Sequence, residues 1–227
     1  MTIEERAFDT MDAAADALVR ALEHALSAAI AARGRAVLMV SGGRTPCHVY
    51  PRLAQADVDW ASVTMTLSDE RWIPAGQADS NEGLVRAHLL QGAAAAATFV
   101  PLYGGEGTPE AGRSACEARL AALAMPFDAV YLGLGPDGHI ASLFPGDPAL
   151  EVANRMCAAV PETQTRSSRM TLTPSAILNA RQVFLLFDGA EKQAVYNAAK
   201  KPGPIRDLPV RLLLTQDRTP VSVFNGP

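Results

Sequence analysis

The chain has 227 residues, of which 48% are hydrophobic, and it carries a net charge of −4 at neutral pH. That length suits one α/β domain spanning residues 1–227, with enough apolar material for a large core. The acidic balance leaves no footprint for nucleic acid, and no apolar run nears the ~20 residues that cross a bilayer, so neither is an expected partner.

The opening MTIEERAFDT has acids where a secretory signal is basic, which argues against export. Met11–Gly34 is alanine-rich, with Leu18, Leu22 and Leu26 at helical spacing and Gly34 placed to cap the helix. RAVLMVSGG then reads as a strand running into a glycine turn, and Thr45–Pro46 as the start of a helix. SVTMTLSDERW reads as one alternating strand, and NEGLVRAHLL as a helix capped by Asn81. ATFVPLYG is a strand end, Pro109–Leu123 a helix, and Phe127–Leu132 a buried strand. RMTLTPSAILNA suggests a strand end and a short helix, QVFLLF a strand, GAEKQAVYNAAK a helix, and PVSVF a last strand. This alternation predicts an α/β fold with a mostly parallel sheet and helices on both faces. Cys47, Cys116 and Cys157 are an odd set without metal-ligand spacing, which fits a reducing cytoplasm and argues against disulfides or a structural zinc.

Four strand-end loops hold residues suited to chemistry. In SGGRTP, Ser41, Gly42, Gly43 and Thr45 lead into a helix N-terminus, where free N–H groups and the dipole favour an anion. In LSDERWIP, Asp69 and Arg71 follow an apolar strand; a solvated charged turn is the plain alternative to a shared cleft. In YLGLGPDGHIASLFPG the strand meets a glycine bend and then Asp137 and His139. The G-x-G-x-x-G spacing of a dinucleotide site is missing, because Ile140 and Ala141 stand where the third glycine belongs. A carboxylate two residues from an imidazole can fix its tautomer for general-base work; a core histidine is the bland reading. Arg169 and Lys192 each flank an apolar segment, and Lys192 falls in the first turn of its helix, where the dipole disfavours a cation.

In this order the motifs SGGRTP, SDERWIP with DSNEGLVRAHLL, GLGPDGHIASLFPG, RMTLTPSAILNA and GAEK resemble the 6-phosphogluconolactonases of the pentose phosphate pathway. The resemblance runs from about residue 36 to residue 200, whereas the ending TQDRTPVSVFNGP departs from the family pattern. It implies the fold of sugar-phosphate isomerases and deaminases, a modified doubly wound (Rossmann-like) sheet. It also implies hydrolysis of 6-phospho-D-glucono-1,5-lactone without metal or organic cofactor; a cytoplasmic monomer is the expected form. By that resemblance His139 is the catalytic base and Asp137 its partner, Asp69 and Arg71 lie in the cleft, and Gly42, Gly43, Thr45, Arg169 and Lys192 hold the phosphate. Arg71 or the N–H groups of the Gly133–Gly138 loop would meet the oxyanion; both options stay open. Two rivals share the architecture: an amino-sugar-phosphate deaminase or isomerase, and a non-catalytic sugar-phosphate sensor. The related deaminases place a glutamate five residues after the histidine, where this chain has Phe144.

Overall fold

The computed structural model describes residues 3–227, so the first two residues of the expected domain lie outside it. The amino-terminal part runs β1 (Ile3–Ala7), α1 (Met11–Arg33), β2 (Ala36–Val40), α2 (Pro46–Leu53), β3 (Val63–Leu67), β4 (Asp69–Arg71) and α3 (Asn81–His88). The middle holds β5 (Thr98–Val100), α4 (Pro109–Ala121), β6 (Ala129–Gly133), β7 (Cys157–Val160) and β8 (Arg169–Leu172). The chain ends with α5 (Pro174–Leu178), β9 (Val183–Phe187), α6 (Ala190–Ala199), α7 (Arg211–Leu214) and β10 (Val221–Asn225).

Seven strands form a parallel sheet in the order β1-β10-β9-β6-β2-β3-β5. β2 and β9 are buried along their whole length, as expected of central strands covered on both faces. α1 packs across β2, β6, β9 and β10. It does so because Ala14, Leu18, Leu22 and Leu26 share its buried stripe, while Gly34 closes it at φ 70° and donates its N–H to the Ile30 carbonyl. The atypical carboxyl-terminal segment still supplies a sheet strand, since β10 pairs with both β1 and β9.

Three features differ from the sequence reading. SVTMTLSDERW is two strands: β3 stays in the large sheet and β4 enters a separate antiparallel sheet, β4-β8-β7. Ser68 is the pivot, donating its N–H to the Val40 carbonyl while its own carbonyl accepts from the Leu172 N–H, both at 2.8 Å. Ser80, not Asn81, caps α3, because its hydroxyl accepts from the Gly83 N–H at 3.0 Å. β1 and β7 were not expected; β1 is a largely exposed strand at the sheet edge whose IEERA shows no apolar period.

Candidate active site

Chain order reverses between β2 and β6, which are neighbours in the sheet. Loops leaving such a switch point diverge and open a crevice at the carboxyl ends of the strands. Here a cavity of about 240 Å³ lies between the Ser41–Pro46 turn after β2 and the Gly133–His139 loop after β6. Its wall is completed by Asp69 and Arg71 beyond β3, Arg169 of β8 and Lys192 of α6. The fold thus brings nine of the ten residues singled out in the sequence to one cavity, and the tenth, Asp137, is bonded to one of them.

His139 is held from three sides. Asp137 Oδ1 lies 2.5 Å from its Nδ1 and also accepts the His139 backbone N–H at 3.1 Å. With the Nδ1 proton committed to Asp137, the lone pair of the neutral ring sits on Nε2. Partial burial by itself would raise the Asp137 carboxyl, but the hydrogen bond and charge of His139 outweigh it and hold Asp137 below the usual carboxylate range. One side of the ring rests on Gly135, where any Cβ would come within 2.1 Å of Nδ1. The other side meets Phe144, ring centroids 4.6 Å apart. Phe144 in turn carries the Arg166 guanidinium 3.9 Å from its centroid, and Arg166 is anchored on Asp147 at 3.0 Å.

The second corner is charged and tightly bonded. Asp69 is buried; its Oδ1 accepts from the Ser68 hydroxyl at 2.9 Å and its Oδ2 from Ser142 at 2.6 Å. Arg169 Nη1 lies 3.7 Å from Asp69 Oδ2 and donates to Ser142 Oγ at 3.3 Å. Burial pulls the Arg169 guanidinium down from its ordinary value, Asp69 opposes that, and Arg71 and Arg166 add to it. β4 and β8 set Arg71 directly opposite Arg169, as the antiparallel register requires. Arg71 Nη1 donates to the Asp79 carbonyl and to Asn81 Oδ1, each at 2.7 Å. Ser142 is fully buried and bonded at both ends of this network, so it is no free nucleophile.

At the third corner the β2 turn enters α2. Gly42 has no room for a side chain: a Cβ there would lie 1.9 Å from Asn81 Oδ1. The Tyr50 hydroxyl donates to the Ser41 carbonyl and pins the turn from below. Thr45 starts α2 without a side-chain cap; its hydroxyl reaches Asp188 Oδ1 at 3.4 Å. Lys192 bonds the same oxygen at 2.8 Å. Although partial burial would raise it, that lysine and Thr45 hold the Asp188 carboxyl below its ordinary value.

Arg44, Asn81 and Ala141 line the cavity and were not among the residues singled out. Asn81 read as a helix cap because Asx residues favour that place; its side chain instead ties Arg71 to the Asp69 carbonyl. Ala141 adopts φ 51°, a left-handed conformation that costs a non-glycine residue on the order of 1–3 kcal/mol and gathers at functional sites. Nothing in the letters HIAS signals it. Among the described residues, no group of three His, Cys, Asp or Glu side chains could hold a metal ion, and no helix is long and apolar enough to cross a membrane.

This geometry has close relatives. The chain is 42% identical to the 6-phosphogluconolactonase of Caulobacter vibrioides, covering 98% of this chain and 97% of that protein. It is 41% identical to the 6-phosphogluconolactonase of Pseudomonas aeruginosa, over 87% and 84% of the two chains. The crystal structure of a 6-phosphogluconolactonase from Shewanella baltica superposes with a TM-score of 0.96 at 40% identity, covering 100% of this chain and 98% of that one. The family model described as glucosamine-6-phosphate isomerases/6-phosphogluconolactonase matches residues 9–221, nearly the whole chain, and the chain belongs to that family.

Proposed function

We propose that the chain is a carboxylic ester hydrolase that opens 6-phospho-D-glucono-1,5-lactone to 6-phosphogluconate in the oxidative pentose phosphate pathway. Water activated by His139 would be the nucleophile. The observation that carries this reading is the Asp137–His139 pair at a cavity that Arg44, Arg71, Arg169 and Lys192 also line. Nε2 takes a proton from water as the oxygen adds to C1; the bond from C1 to the ring oxygen then breaks, and the imidazolium returns the proton to that oxygen. Asp137 stabilises the imidazolium in between. The Gly135 and Gly138 N–H groups are already bonded to the His139 and Gly135 carbonyls, at 2.9 and 3.1 Å. We therefore assign the oxyanion to Arg71, whose Nη2 and Nε remain for it.

Gly42, Gly43, Thr45, Arg169 and Lys192 receive the phosphate in this reading, and the distant anion holds the ring in place for attack. Asp69 acts as a positioning residue, since both its oxygens orient Ser68, Ser142 and Arg169. In this reading the protein acts as a monomer with a single domain over residues 1–227. The reaction is assigned to the cytoplasm and uses no metal or organic cofactor.

The test sets lactone hydrolysis against deamination. Fresh 6-phosphogluconolactone, corrected for spontaneous opening, should be hydrolysed, and glucosamine 6-phosphate should release no ammonia. Phe144 is the reason: packed between His139 and Arg166, it cannot donate the proton that opens a sugar ring. Ammonia release at a rate comparable to lactone opening would overturn the assignment.

A further inference from the structure

Four cations line the cavity: Arg44, Arg71, Arg169 and Lys192. Three are already held. Lys192 is balanced by Asp188 at 2.8 Å, Arg169 faces Asp69 at 3.7 Å, and Arg71 is tied to Asp79 and Asn81 through neutral oxygens. Arg44 is exposed, and among the described residues its side chain makes no hydrogen bond or ion pair. Carboxylates thus offset two of the cations, and the uncompensated charge sits on Arg71 and Arg44. A phosphate monoester carries about −1.5 to −2 charges at pH 7, so one such cation does not neutralise it. With Arg71 at the oxyanion, Arg44 is the uncompensated cation left to join Arg169 and Lys192 at the phosphate.

Its place suits that task. Gly43 turns at φ 100°, and the Arg44 carbonyl accepts the Cys47 N–H at 3.1 Å, so its backbone is fixed where the chain enters α2. The side chain leaves the entry of that helix, where N–H groups face a bound anion. A planar guanidinium there can bridge two phosphate oxygens, which a lysine cannot.

We infer that Arg44 is a phosphate-binding and specificity-determining residue, folding over the phosphoryl group and selecting phosphorylated lactones over plain ones. The inference rests on the lactonase reading for its substrate but not for its anion. Titrating the wild type and Arg44→Gln with inorganic phosphate and with 6-phosphogluconate should show both affinities about 10- to 100-fold weaker in the variant, the range of a lost bond to a charged group. In the lactone assay the loss should fall on KM rather than kcat, with unphosphorylated gluconolactone unaffected and Arg44→Lys restoring only part of the affinity. Equal phosphate affinity in the two proteins would overturn the role of Arg44, whatever the wild type does to lactones. The wild-type rate on the lactone tests the reaction separately.

Discussion

Asp137 and Gly135 both meet the imidazole at Nδ1, and they should fail differently. Asp137→Asn keeps the size but can present its amide N–H to Nδ1, moving the ring proton to Nε2, where it blocks the base. We expect kcat to fall at least about tenfold with little change in KM, which steady-state kinetics would check. Gly135→Ala cannot keep the ring where it is, because the new methyl would overlap Nδ1. It should lower kcat while leaving phosphate affinity intact; a parallel loss of both would point to wider disruption of the cavity. Both residues were legible in the sequence because three neighbours in one loop carry the chemistry. Arg44 and Asn81 were not, since their places depend on which loops the sheet brings together. Asn81 ties Arg71 to the Asp69 carbonyl and packs against Gly42, 39 positions away in sequence.

The element most dependent on a single side chain is α3. Glu70 is fully buried and its carboxylate accepts the N–H groups of Arg71, Asn81 and Glu82 and the Ser80 hydroxyl, all within 3.0 Å. It thereby satisfies the first turn of α3 and welds it to β4. Burial nevertheless pushes its carboxyl from 4.5 up to about 7, because the bonds from Glu82, Asn81 and Ser80 only partly offset the loss of water and the charge of Asp69 adds to the rise. Between those values the folded state binds more protons than the unfolded one, so this group's contribution is complete below pH 4.5 and is lost as the pH rises through about 7. Glu70→Gln should flatten that part of the profile in urea unfolding. It should also cost about 1–3 kcal/mol, since one amide oxygen cannot serve four donors. Parallel profiles for the two proteins would show that Glu70 does not titrate in this window. The sequence displayed Glu70 only as the middle of a charged triplet. The regular helices were legible because their apolar stripes have a period; the break at Ser68 was not, because nothing in the letters LSDER marks where the strand changes sheets.

At the scale of the whole molecule, the sheet order assembles the site. β9, β6, β2 and β3 lie side by side, so loops far apart in sequence leave from adjacent strand ends. Strand–helix alternation predicted a parallel sheet, but not which strands are neighbours, and β1 joins an edge that no apolar pattern marks. The proposed reading puts the phosphate at α2, α6 and Arg169 of β8, and the reacting carbon at His139. Lys192→Ala should therefore weaken 6-phosphogluconate binding by about 1.5–3 kcal/mol and reduce its salt dependence, as seen by titration at two ionic strengths. If unphosphorylated gluconolactone were opened as efficiently as the phosphorylated form, that division of the cavity would be wrong. The central claim is that His139 activates water for lactone opening. Its most direct measurement is kcat of the wild type against His139→Ala on fresh 6-phosphogluconolactone, with spontaneous hydrolysis subtracted and product affinity measured alongside. The account predicts a loss of roughly 10²–10⁴-fold with 6-phosphogluconate still bound; a rate within a few-fold of wild type would contradict it.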